Sequence, residues 1–269
     1  MSGIYIHIPY CRQACHYCNF HFSVSHRNRK AFVDALMQEM SMQADFFRDI
    51  GETGAINTVY LGGGTPSVLE NDELRRLFDH LEKVFSIAGV SEVTLEANPD
   101  DLTREKLLFL RDTPINRLSI GVQSFHEEDL RYMNRSHTTV QAAASIERAQ
   151  QLGFDRLTVD LIYGTPTMND RQWEENLNRI VHMGIPHLSA YALTVEEKTA
   201  LHYLIRQGRA DDVSEEQSAR QFELMCAVLA DAGYAHYEVS NFGRPGHYGL
   251  HNLSYWTGRP YLGMGPSAH

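Results

Sequence analysis

Short apolar runs alternate along this chain with longer stretches in which apolar residues recur every three or four positions. The runs are Ile4 to Ile8, Thr58 to Leu61, Val93 to Glu96, Arg117 to Val122, Leu157 to Ile162 and His187 to Ala192. Their β-branched and aromatic content predicts strands. Between them, Phe32, Leu36 and Met40 form one helical stripe. Leu74, Leu77, Phe78, Leu81 and Phe85 form a second, and Trp173, Leu177, Ile180 and Val181 a third. Strands alternating with helices imply parallel pairing through right-handed crossovers, hence an α/β fold, either an open doubly wound sheet or a barrel.

The polar positions favour a partial (β/α)6 barrel of the TIM type, in which chemistry gathers at the C-terminal strand ends. Strand one runs into a cysteine loop, and strand two into Gly62-Gly63-Gly64-Thr65-Pro66. Strand three ends at Glu96, strand four at Gln123, and strand five carries Asp160. Beyond strand six, Ser214 with Gln217 reads as a capping box opening a helix with the stripe Phe222, Met225, Cys226 and Leu229. Cys226 then reads as a small buried hydrophobe. The segment from Tyr234 to His269 reads as a strand followed by loops. The expected division is a barrel over residues 1–210 and a C-terminal extension over 211–269 packed on it.

Composition narrows the function. With 269 residues, 43% of them hydrophobic, the chain can bury a sizeable core. A formal net charge of -10 disfavours nucleic acid or an anionic membrane surface as main partner, since both attract Lys and Arg. No signal peptide or membrane-spanning run is visible, so a cytoplasmic location is expected. In a reducing cytosol cysteines rarely form disulfides, and three of the four lie within eight residues. They read as metal ligands or redox groups.

Cys11, Cys15 and Cys18 have the spacing C-x3-C-x2-C directly after a strand. A [4Fe-4S] cube held by three thiolates keeps one iron free of protein, and S-adenosylmethionine (SAM) can bind there through its amino and carboxylate groups. One electron from the cluster can then cleave a carbon–sulfur bond and release a 5'-deoxyadenosyl radical. The competing reading is a structural zinc barrel, with His7, His16 or His21 as a fourth ligand.

The residues around the triplet, Tyr5-x-His7-x-Pro9-Tyr10-Cys11-x3-Cys15-x-Tyr17-Cys18, resemble the opening of the oxygen-independent coproporphyrinogen III oxidase family, a radical SAM family. The resemblance continues through Gly62-Gly63-Gly64-Thr65-Pro66, Glu96, Gly121-Val122-Gln123-Ser124-Phe125, Arg135 and Asp160-Leu161-Ile162-Tyr163-Gly164. It implies a cluster on the three cysteines and SAM contacts from the glycine run, Thr65, Glu96, Gln123, Arg135 and Asp160. Tyr5 belongs to the same cofactor-binding set, and Tyr17 resembles the aromatic residue that packs on adenine. Arg135 would pair with the SAM carboxylate and Glu96 would lie near the sulfonium.

Within that family the chain departs from the decarboxylating oxidase. Phe20 stands where the oxidase has a fourth cysteine, and only ten residues precede Cys11. His251-Asn252-Leu253-Ser254-Tyr255-Trp256 instead resembles the H-N-x-x-Y-W signature of HemW-type heme chaperones. That resemblance implies heme binding, with His251 a candidate iron ligand or heme neighbour, and delivery of heme to acceptor proteins. On chemistry alone the His-Asn pair can equally be a loop cap. Other implied partners are an electron donor such as a flavodoxin or ferredoxin, and transient membrane-protein contacts. Relatives usually continue into a further C-terminal domain, so a fragment or shortened form is expected. Porphyrinogen decarboxylation and a structural zinc barrel are the alternative functions.

Overall fold

The structure, a computed structural model, describes residues 2–52 and 55–268. All six expected strands form: β1 (Ser2–Ile8), β2 (Ile56–Gly63), β3 (Glu92–Ala97), β4 (Arg117–Gln123), β5 (Leu157–Tyr163) and β6 (His187–Ala192). They pair in parallel in sequence order, from Ile4 opposite Val59 to Val159 opposite Leu188. The ladder does not close. β6 is followed on its free side by two short antiparallel strands, β8 (Asn241–Gly243) and β7 (Ala235–His236), while β1 takes β9 (Tyr261–Met264) in parallel. The result is a nine-stranded open sheet curved as a partial barrel, with both edges supplied by the segment after residue 210.

Ten helices follow the strands among the described residues: α1 (Arg29–Met42), α2 (Phe46–Asp49), α3 (Asn71–Phe85), α4 (Arg104–Arg111), α5 (Glu127–Tyr132), α6 (Thr139–Gln151), α7 (Asp170–His182), α8 (Ala200–Arg206), α9 (Glu215–Asp231) and α10 (Leu250–Trp256). Their apolar stripes land as periodicity requires, Leu74, Leu77, Phe78, Leu81 and Phe85 all being buried on α3. Trp173 on α7 is fully buried and donates its indole N–H to the Gln221 carbonyl of α9. Cys226 is partly buried against this core. Ser214 caps α9 by accepting from the Gln217 N–H, but the reciprocal half of the expected box does not form. The Gln217 amide instead donates to the carbonyls of Thr165 and Met168, stapling α9 to the loop after β5.

Side chains alternate along a strand, so each strand has a helix-facing and a lumen-facing set. Val93, Leu95, Leu118, Ile120, Leu157, Val159 and Leu188 join the helix-side core. Their alternates are polar: Glu92, Thr94 and Glu96 on β3, Arg117 and Ser119 on β4, Thr158 and Asp160 on β5, His187 and Ser189 on β6. These line an internal cavity of about 700 Å³.

At the N-terminal end of that lumen the Arg117 guanidinium donates to Glu92 at 2.8 Å, both side chains being almost wholly buried. Arg117 also donates to Thr158 and to the carbonyls of His247 and Tyr248. Glu92 accepts the backbone N–H groups of Leu250 and His251, the first residues of α10. A carboxylate suits a helix N-terminus, and here it anchors the C-terminal segment across the barrel floor. The expectation of loops after Tyr234 is therefore corrected, since α10 and β9 are held by partners far away in sequence.

Removing one member of a buried ion pair leaves the other charge uncompensated, at a cost of about 3–5 kcal/mol. Arg117→Met is expected to destabilise the protein by that amount in urea denaturation. Pairing it with Glu92→Leu should recover a large part of the loss.

Candidate functional site

The cysteine loop leaves β1 at Pro9 and is tied down along its length. The Cys11 N–H donates to the Ser23 carbonyl, and the His16 N–H to that of Met133. The Gln13 amide donates to the Asn134 carbonyl and side chain, and the Asn134 amide returns a bond to the Ala14 carbonyl. Asn134 takes a left-handed backbone (φ 55°), a conformation Asn tolerates better than most residues. The loop is thus sewn to the segment after α5.

Two donors point at the cysteine sulfurs. The Thr65 hydroxyl lies 3.4 Å from Cys11 Sγ, and Arg135 Nη1 lies 3.3 Å from Cys15 Sγ and 3.3 Å from the Tyr17 hydroxyl. Arg135 Nη2 donates to Asn98 Oδ1 and the Gly121 carbonyl, while its Nε has no partner among the described residues. Burial raises the Cys11 thiol and pushes Cys18 up to about 11. These two thiols are therefore neutral when free, and a metal bound by them has to displace their protons. Among the described residues no group of three His, Cys, Asp or Glu side chains is arranged as a single ion's ligand set.

Cys18 and Tyr17 form part of the cavity mouth, with Glu96, Gln123 and Asp160 inside it. Gln123 sits where β4 shifts register against β5, in a left-handed backbone (φ 67°) that is strained for a residue with a side chain. Glu96 accepts from the Tyr60 hydroxyl at 2.7 Å and from the Gly63 N–H at 3.2 Å. Burial, with Asp160 nearby, raises its carboxyl to about 7 despite these bonds. Burial raises Asp160 to about 6, opposed by bonds from Ser119 and Ser189. The cavity's upper half is thus acidic and suited to a cationic guest.

The radical SAM superfamily profile matches residues 5–180. The chain belongs to the radical SAM superfamily, in the HemW family. The heme chaperone HemW of Bacillus subtilis is 36% identical over all of this chain and 70% of its own length, and that of Escherichia coli 32% identical over 99% and 69%. The mitochondrial radical S-adenosyl methionine domain-containing protein 1 of Danio rerio is 31% identical, this chain spanning 60% of it. Among solved structures, the radical SAM enzyme coproporphyrinogen III oxidase (HemN) of Escherichia coli superposes with a TM-score of 0.82 at 27% identity, over 99% of this chain and 64% of that one.

Not every expected position in this radical SAM barrel meets the cavity. The glycine run packs against protein. A Cβ on Gly62 would meet Tyr60 and Glu96 within 2.8 Å, and one on Gly63, with φ of 104°, would strike the His7 ring at 2.5 Å. The N–H groups of Gly64 and Thr65 donate to the carbonyls of Ile8 and Tyr10, binding this loop to the root of the cysteine loop. Tyr5 packs beside both Tyr60 and His251 (centroids 6.0 and 6.5 Å) and is absent from the residues lining the cavity.

His251 lies far from the cysteine loop. It lies fully buried at the floor, at the opposite end of the strands from the cysteines, its ring bonded through Nδ1 to Thr58 (2.8 Å) and through Nε2 to the Tyr255 hydroxyl (2.9 Å). Burial lowers it to about 4, so it is neutral, but neither nitrogen is free for an iron. Its ring packs 5.2 Å from Tyr60, which carries the floor's order up to Glu96. The motif's second residue, Asn252, is the one that reaches the cavity. Thr94, Arg117, Thr158 and His187, unnoticed in the sequence reading, line it too. Their signal was the period-two polar alternation within the strands.

A carboxyl whose folded value is raised takes up a proton more readily than in the unfolded chain. Folding is thus penalised once pH exceeds the unfolded value of 4.5, and the penalty grows until the folded value near 7 is passed. The ligand-free protein should lose stability between about pH 5 and 8. Glu96→Gln should remove about 3 kcal/mol of that loss at pH 8, read from chemical denaturation across pH.

Proposed function

We propose that this protein is a radical-SAM-type heme chaperone that binds a [4Fe-4S] cluster through Cys11, Cys15 and Cys18, binds SAM at the cavity mouth, and delivers heme to acceptor proteins. The observation that supports it most directly is the pair of donors, Arg135 and Thr65, aimed at two cysteine sulfurs above a polar, acidic lumen. Such donors stabilise thiolates, and a buried guanidinium offsets the negative charge of an iron–sulfur cluster. When bound, a cluster with three protein thiolates offers SAM an open iron and, once reduced, the electron that cleaves its sulfonium.

The chain's own groups have definite tasks in this reading. Tyr17 and Gln123 flank the mouth, where an aromatic face and an amide suit an adenosine. Glu96 and Asp160 supply negative charge toward the sulfonium, and Ser119 and Tyr60 hold them in place. Arg135, fixed by Asn98 and the Gly121 carbonyl, keeps an unpartnered Nε–H for an acceptor such as the SAM carboxylate. The HemW relatives support heme delivery, for which His251 is no longer the proposed ligand. An electron donor of the flavodoxin or ferredoxin type belongs to the same reading. Porphyrinogen decarboxylation is the weaker alternative, because Phe20 stands where the oxidase has a fourth cysteine.

Anaerobic reconstitution tests the proposal. Electron paramagnetic resonance of the reduced protein should change on adding SAM, and an unchanged spectrum would defeat the cluster–SAM half. Heme should give a Soret band that persists in His251→Gln and moves to an apo-acceptor. Conversion of coproporphyrinogen by the protein with SAM and reductant would replace the chaperone with the oxidase.

A further inference from the structure

The lower half of the lumen, beneath the carboxylates assigned to SAM, contains two buried polar atoms with no partner among the described residues: the Thr94 hydroxyl and His187 Nδ1. Both side chains are almost wholly buried, and both residues line the cavity. Buried polar atoms are nearly always paired, so two unpaired ones on residues that line the same space point to something that pairs them when present.

The hydrogen positions follow from their neighbours. The Tyr237 oxygen accepts the Gly249 N–H at 3.2 Å and lies 2.7 Å from His187 Nε2. Given to that nitrogen, its own proton is paired within the protein, which makes Nε2 the acceptor. Burial, together with Arg117 and His247, lowers His187 to about 3, so the ring is neutral and its one proton resides on Nδ1. The lower lumen therefore offers an N–H donor from His187, a hydroxyl from Thr94, and the amide of Asn252 at the floor.

Charge decides the class of guest. The Arg117 guanidinium is committed to Glu92, Thr158 and two backbone carbonyls, and the other carboxylates lining the cavity are Glu96, Asp160 and Glu196. Among the described residues no uncommitted cation lines this space, so an anion entering it meets carboxylates without compensation. A cation is opposed by the His187 N–H and by the adjacent guanidinium.

We infer that the lower lumen, around Thr94, His187 and Asn252, is a binding subsite for an uncharged hydrogen-bonding group, such as an amide, carbonyl or hydroxyl, and that it excludes carboxylates. A heme, with two carboxylates, then belongs outside the lumen. The subsite is separate from the cluster and SAM contacts, and a failure here leaves the electron paramagnetic resonance test above untouched.

Acetate, acetamide and acetamidinium share one planar shape and differ in charge. Saturation-transfer NMR of each with the full chain, followed by titration, measures the preference directly. Acetamide should bind at least tenfold more tightly than acetate and more tightly than acetamidinium. Thr94→Val, which keeps the shape and removes an unpaired hydroxyl, should weaken acetamide at least fivefold while the melting temperature holds or rises. Asn252→Ala supplies a second reading at the floor. Acetate binding as well as acetamide, acetamidinium binding best, acetamide unaffected by both substitutions, or no probe binding because the space holds only water, would each overturn the inference.

Discussion

Polar side chains crowd the inside of a parallel barrel, and each must find a partner where water is scarce. The Glu92–Arg117 pair meets the severest case of this requirement and organises what surrounds it. Its two members use their remaining bonds to hold Thr158, the 247–248 carbonyls and the start of α10. With the floor closed, the lumen above can stay open and polar without exposing the helix-side core. Conventional barrels fill this space with branched aliphatic side chains. Here the volume is left for a guest, and the fold is held chiefly by the apolar layer between strands and helices.

The two ends of the lumen communicate through aromatic rings. His251 at the floor packs on Tyr60, whose hydroxyl holds Glu96 near the mouth. Arg135 performs a comparable task at the top, joining the cysteine loop to β4 through the Gly121 carbonyl and to β3 through Asn98. The position of the cysteines is thus referred to the strands by side-chain bonds as well as by chain connectivity, which gives a solvent-facing loop the precision a metal centre needs.

Much of this was legible in the sequence, because periodicity is a local property. The six strands and the stripes on α3 and α7 follow from spacing alone, and the cysteine triplet marks the loop that Thr65 and Arg135 meet. What escaped notice depends on distant partners. α10 has seven residues and owes its start to Glu92, far upstream in the chain. β9 has four residues, one of them Gly263, and exists by pairing with β1. Gln217 was read as a cap because its offset from Ser214 fits, yet two carbonyls in another loop compete for its amide. The glycine run was read as room for a ligand, whereas much of that room is taken by Glu96 and His7. The two hydrogen bonds of the His251 ring escaped notice for a related reason, since sequence gives residue type and leaves open which bonds are made.

The pairing of β1 with β9 joins Gly3 to Tyr261, nearly the full span of the chain. The strand that leads into Cys11 therefore keeps one edge bare until the segment carrying Tyr261 has been made. An exposed parallel edge invites mispairing, and contacts between remote residues form slowly. The root of the cysteine loop is therefore completed late in folding, by a segment far from it in the sequence.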